Sequence, residues 1–185
     1  MTTILGLSGS LRRASFNSGL LRAAQQVAPD GVTLTIGSIR DVPLYDGDLE
    51  AAEGIPAAVT ALTDQLAAAG GLLLVTPEYN NGIPGVFKNA IDWMSRGDGL
   101  KIFKGKPVAV IGASPGNFGT AHAQSHWLPV LRTLDTRPWF EGRLMMSRAG
   151  DLFDDRGNLI DDRSRQRLAD FVAGFAASLT PTEVR

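Results

Sequence analysis

Short apolar runs alternate with amphipathic stretches along the whole chain. Thr3 to Leu7, Val32 to Ile36, Gly71 to Thr76 and Pro107 to Ala113 are nearly continuous in apolar residues, the pattern of strands buried on both faces; a weaker fifth run covers Thr136 to Phe140. Between the runs, apolar positions recur at helical spacing. Leu20, Leu21, Ala24, Val27 and Ala28 form one such set, Ile55, Val59, Leu62 and Leu66 a second, and Leu168, Phe171, Val172, Phe175 and Leu179 a third. Pro84 suits the first position of a helix that buries Phe87, Ala90, Ile91 and Met94. A helix from about Thr120 to Leu134 is expected to kink at Pro129, which has no backbone donor. The Asp/Arg-rich stretch from Asp151 to Arg163 reads as a solvated connection.

Strand and helix in alternation predict an α/β protein with a parallel sheet covered on both faces. Five strands and about five helices fit a flavodoxin-like three-layer sandwich with strand order 2-1-3-4-5. The length, 185 residues, suits one domain spanning residues 1–185. In such sheets ligands bind at the carboxyl ends of the strands around the topological switch point, so the loops after strands one, three and four are expected to make one site.

A net charge of −1 with scattered basic residues removes the footprint expected for nucleic acid or a membrane surface. Small-molecule chemistry and a cytoplasmic location are the expectations. The chain has no cysteine, which excludes disulfides, thiolate catalysis and cysteine-ligated metal centres. Redox chemistry would therefore ride on a bound cofactor.

The loop after the first strand reads Ser8-Gly9-Ser10-Leu11-Arg12-Arg13-Ala14-Ser15-Phe16-Asn17-Ser18 and runs into a helix. Strand, hydroxyl-rich loop and helix start occur in the order an anion site needs. Ser10, Ser15 and Ser18 offer hydroxyls, Arg12 a charge-assisted contact, and Asn17 an amide where helix caps are favoured. The loop lacks Gly-x-x-x-x-Gly-Lys-Ser/Thr, Gly-x-Gly-x-x-Gly and Gly-x-Ser-x-Gly, which argues against a P-loop nucleotidase, a dinucleotide fingerprint and a hydrolase elbow. A monophosphate such as the end of FMN remains. After strand three, Thr76-Pro77-Glu78-Tyr79-Asn80-Asn81-Gly82-Ile83-Pro84-Gly85 is restricted by its prolines and carries an aromatic near the strand end, as a planar ligand requires. After strand four, Ser114 and Asn117 in Ala113-Ser114-Pro115-Gly116-Asn117-Phe118-Gly119 could meet the same ligand.

Gly9-Ser10-Leu11-Arg12 with Ser15-Phe16-Asn17, and Pro77-Glu78-Tyr79-Asn80 running through Pro84 into Lys88-Asn89-Ala90-Ile91-Asp92-Trp93, together resemble the NADPH-dependent FMN reductase family, most closely its quinone and chromate reductase branch. The resemblance implies that Ser10, Arg12, Ser15, Phe16 and Asn17 hold the FMN phosphate. It implies that Pro77, Glu78, Tyr79 and Asn80 cradle the isoalloxazine, with Ser114 and Gly116 alongside. It also implies hydride transfer from NADPH or NADH to flavin N5, then electron delivery to quinones, free flavin, azo compounds or oxyanions such as chromate, in a homodimer or homotetramer. Where relatives often carry Tyr-His-Leu-Arg, this chain has Ser125-His126-Trp127-Leu128, which departs from the tetramer contact made there. For Glu78, the backbone of residues 77 to 80 is favoured over the carboxylate as the flavin contact. Lys88 and Asp92 are expected to pair. His122 and His126, at i and i+4, read as surface or capping residues rather than metal ligands. The competing function is a flavodoxin-type electron carrier that does not use NAD(P)H, and a third reading is a binding protein that has lost its flavin.

Overall fold

Successive strand residues point to opposite faces of a sheet, so near-continuous apolar strands require cover on both sides. The computed structural model describes residues 1–179. Its strands are β1 (Thr2–Ser8), β2 (Val32–Gly37), β3 (Gly71–Val75), β4 (Pro107–Ala113), β5 (Arg137–Pro138) and β6 (Met145–Met146). The helices are α1 (Phe16–Gln26), α2 (Gly47–Glu53), α3 (Ala57–Ala68), α4 (Gly85–Met94), α5 (Gly99–Phe103), α6 (Ala121–Thr133) and α7 (Asp162–Ser178). The parallel sheet has the expected order β2-β1-β3-β4-β5, and β6 also lies on β4. Ile4, Leu73, Val75, Ala109 and Ile111 face a layer built from α1 and α7; Leu5, Leu7, Leu72, Leu74 and Val108 face α3, α4, α5 and α6. Ser8 pairs with Val75 and Val75 with Ile111, so the carboxyl ends of β1, β3 and β4 lie side by side.

The fifth strand is shorter than its run of apolar residues suggests. Only Arg137 and Pro138 pair with β4, beside Pro107 and Val108, and β6 takes over next to Gly112 and Ala113. Trp139 turns into the core between these two pieces, with its ring 5.0 Å from that of Phe171 and 5.7 Å from that of Phe175. The Trp139 N–H still donates to the Val108 carbonyl at 2.8 Å, and the chain leaves the sheet edge after it.

Other local expectations shift for physical reasons. Pro84 is the residue before α4 rather than its first residue, with an extended ψ of 132° and a carbonyl that accepts from Phe87 and Lys88. α6 runs through Pro129 as one helix, its buried Trp127 and Leu131 anchoring the segments on either side. Asp151 to Arg163 is not merely solvated. Phe153 and Leu159 bridge each other and are buried, while Asp154 accepts bonds from Asn158 and Arg156 that close the turn between them. The turn lies so close to α1 that a Cβ on Gly19 would come 1.6 Å from the Gly157 carbonyl oxygen. Only glycine fits at that crossing.

Candidate functional site

Ser15 caps α1: its Oγ accepts from the backbone N–H groups of Asn17 at 3.2 Å and Ser18 at 3.3 Å. Asn17, anticipated at the cap, sits two residues past it in the first turn of α1 and faces the neighbouring strand. Its Nδ2 donates to the Ala113 carbonyl at 2.8 Å and its Oδ1 accepts from the Ala113 N–H at 2.9 Å, both buried. The first loop is thereby tied to the end of β4. The Leu11, Arg13 and Ala14 N–H groups meet no protein acceptor among the described residues. Arg12 has no carboxylate partner among them either; its guanidinium lies 5.3 Å from the centroid of the Phe16 ring, which is itself backed by Phe153 at 5.2 Å. Gly9 brings the loop against α4, since a Cβ there would lie 2.3 Å from Phe87 Cδ1.

In the second loop, Tyr79 and Gly82 exchange backbone hydrogen bonds at 3.1 and 3.0 Å across Asn80 and Asn81. Both asparagines have positive φ, 49° and 61°. This is the two-residue hairpin turn that favours Asn and Gly. It leaves Tyr79 half exposed, its hydroxyl 3.5 Å from Ser10 Oγ. Glu78 turns the other way: its Oε2 accepts from the Ala123 N–H at 2.9 Å in the first turn of α6. That helix start lacks a cap from its own Thr120 side chain, and a carboxylate there also complements the helix dipole.

The third loop is held by its own backbone and by residues not singled out from the sequence. Ser114 donates its N–H to the Met146 carbonyl and accepts at its own carbonyl from Ala149, while Gly116 accepts from Arg148. Arg148 has a left-handed φ of 49° and donates from Nε to Asn117 Oδ1 at 3.2 Å.

The three loops line one cleft of about 210 Å³. Ser10, Arg12, Ser15, Phe16 and Asn17 contribute from the first, Pro77, Glu78 and Tyr79 from the second, and Ser114 from the third. Asn80 and Gly116 lie outside its walls. One end collects hydroxyls, a guanidinium and the free N–H groups of the loop that leads into α1, which suits a phosphate dianion. The other end offers Pro77 and the Tyr79 ring, which suit a planar heterocycle. FMN joins those two chemistries, and the residues fit it.

His122 and His126 are exposed on α6 beside this site: His122 lies 6.3 Å from the Phe118 ring, and a Cβ on Gly82 would stand 3.6 Å from His126 Nδ1. Lys88 and Asp92 pair as expected, Nζ to Oδ1 at 2.6 Å. Both are more than a third exposed, so the pair is worth only about 0.5 kcal/mol. No helix among the described residues is long and apolar enough to cross a membrane.

Comparison with known proteins agrees with this geometry. Residues 2–151 match the NADPH-dependent FMN reductase family. The chain is 45% identical to an NAD(P)H-dependent FMN reductase of Pseudomonas aeruginosa, over 89% of this chain and 88% of that protein. It is 40% identical to a 2-hydroxy-1,4-benzoquinone reductase of a Burkholderia species, over 91% of each. The solved structure of FerB, a flavoenzyme NAD(P)H:(acceptor) oxidoreductase from Paracoccus denitrificans, superposes with a TM-score of 0.85 at 34% identity, covering 97% of both chains. With the strand order, the cleft and these relatives in agreement, the chain belongs to the NADPH-dependent FMN reductase family.

Proposed function

We propose that this FMN-dependent NAD(P)H oxidoreductase delivers its electrons to quinones, with free flavin, azo compounds and oxyanions such as chromate as further acceptors. The observation that carries the reading is a single cleft with an anion end and a planar-ring end, joined at the contact between Ser10 and Tyr79. The Burkholderia relative, a benzoquinone reductase, supports quinones as the first class to test.

In this reading Ser10, Arg12, Ser15 and the free N–H groups of the loop leading into α1 hold the FMN phosphate, and Phe16 keeps Arg12 over it. Asn17 positions rather than binds, because its amide is spent on Ala113. Pro77, Tyr79 and the backbone of Glu78 and Asn80 frame the isoalloxazine, with Ser114 and Gly116 on its border. The Glu78 carboxylate holds the second loop against α6. FMN, when bound, supplies the two-electron chemistry: hydride taken at N5 from the nicotinamide, and electrons returned to a second substrate. The residues contribute orientation and charge, and none serves as a nucleophile. Half-exposed Tyr79 leaves one side of the cleft open, so donor and acceptor can use it in turn.

A steady-state survey tests the reading directly: FMN-loaded protein, NADPH and NADH as donors, and a benzoquinone, FMN, an azo dye and chromate as acceptors. Quinone addition is expected to trigger nicotinamide oxidation. Flavin-loaded protein inert to both nicotinamides would instead mark a flavodoxin-type carrier. The working form is a cytoplasmic homodimer or homotetramer in this proposal, and light scattering on the purified protein decides its assembly.

A further inference from the structure

A second crevice opens on the other side of the first loop, between the carboxyl ends of β1 and β2, with a volume of about 310 Å³. Two arginines reach it from different elements, Arg22 from α1 and Arg40 from the loop after β2. Arg22 donates to the Gly157 carbonyl at 3.2 Å and to Asn158 Oδ1 at 3.3 Å, and Arg40 donates to the Leu11 carbonyl at 2.7 Å. These are neutral acceptors. Neither guanidinium has a carboxylate partner among the described residues, and each has further N–H donors beyond those bonds. Ser8, Ser10, Ser18 and Ser38 add hydroxyls to the same walls. Ser38 Oγ accepts from the Arg40 N–H at 3.3 Å, which leaves its own proton to donate.

This is chemistry that suits a phosphate: two arginines without carboxylate partners and four serines border one crevice from three separate segments. The crevice is also larger than a phosphate needs. Ile36, exposed at 42% although it lies on a strand, gives it an apolar wall for a sugar or base. Ser10 lines both this crevice and the FMN cleft, so a molecule occupying one reaches the edge of the other.

We propose that the β1/β2 crevice is a second phosphate site, on the opposite side of the first loop from the FMN cleft, that takes a phosphomonoester on a sugar. In turnover its occupant is the 2′-phosphate of NADPH, an assignment that rests on the reading of the chain as a nicotinamide-oxidising enzyme. Arg22 and Arg40 then determine the preference for NADPH over NADH.

The test uses FMN-loaded protein, wild type and the Arg22→Gln and Arg40→Gln variants. Calorimetric titrations employ 2′,5′-ADP, 5′-AMP and inorganic phosphate, and kinetics give kcat/KM for NADPH and for NADH. The expected result is 2′,5′-ADP binding about tenfold or more tighter than 5′-AMP, that preference vanishing in the variants, and a fall of about tenfold in the ratio of kcat/KM for NADPH to that for NADH. The ratio cancels any common loss of flavin or of folded protein. Arginine-dependent binding of inorganic phosphate with an unchanged ratio supports the site but assigns it to free phosphate. No arginine-dependent binding of 2′,5′-ADP or inorganic phosphate overturns the site. Should the protein oxidise neither nicotinamide, the functional reading fails while the titrations still decide the crevice.

Discussion

Asn17 and Glu78 each use a polar side chain to join parts of the site rather than to present it to a ligand. Removing the Asn17 amide strands a buried N–H and a buried carbonyl on Ala113, so Asn17→Ala is expected to cost about 2–4 kcal/mol in urea unfolding, more than an exposed asparagine would. Arg12 is the contrasting case. Held over Phe16 without a carboxylate partner, it has its charge free for an anion, and Arg12→Ala is expected to weaken FMN about 10- to 100-fold while changing riboflavin affinity little. Equal losses for the two flavins in fluorescence titrations would remove the phosphate assignment. The kinds of residue at the site were legible in the sequence because serines, an arginine and a tyrosine fell after apolar runs. The partners of Asn17 and Glu78 were not, since they lie 96 and 45 residues away and depend on which strand ends the fold sets side by side.

Elements were readable wherever one periodicity held long enough to register. β1, β3 and β4 are unbroken apolar runs, and α1, α3, α4 and α7 carry clear buried faces. α2 buries no residue and α5 spans five residues, so neither leaves a hydrophobic period to read. The fifth strand position is divided between β5 and β6, with the Trp139 ring between them packed on Phe171 and Phe175 of α7, so one apolar run does not map onto one strand. At its amino end α7 starts on Asp161, whose carboxylate accepts from the Ser164 N–H at 2.7 Å. Hydrogen bonds from Ser164, aided by Arg163 and Arg167, hold its pKa below the ordinary value. A carboxyl group with a lowered folded-state pKa contributes stability above its unfolded value and loses it as pH falls through the folded one. Wild type is therefore expected to exceed Asp161→Asn in stability at pH 7, and the gap to close as pH drops below about 4. Denaturation midpoints of the two proteins across that range provide the check; a gap independent of pH would contradict the role of the charge.

At the scale of the molecule, the cleft draws on β1, β3 and β4 at once, so its ligand reports on the fold as a whole. FMN at about 100 times its dissociation constant is expected to add about 2.7 kcal/mol to the stability of the entire domain in a single unfolding transition. Calorimetric scans with and without FMN measure this, and a separate early transition unaffected by FMN would contradict a one-domain response. One small feature of the second loop also bears on how the protein ages. Asn81 precedes Gly82 in an exposed turn, the pairing in which an asparagine side chain is most readily attacked by the next backbone nitrogen and hydrolysed to aspartate or isoaspartate. Here that nitrogen is engaged in donating to the Tyr79 carbonyl at 3.0 Å. Deamidation at Asn81, followed by peptide mass spectrometry, should run more slowly than in unfolded chain, and its rate then serves as a slow chemical clock for how often the hairpin comes apart.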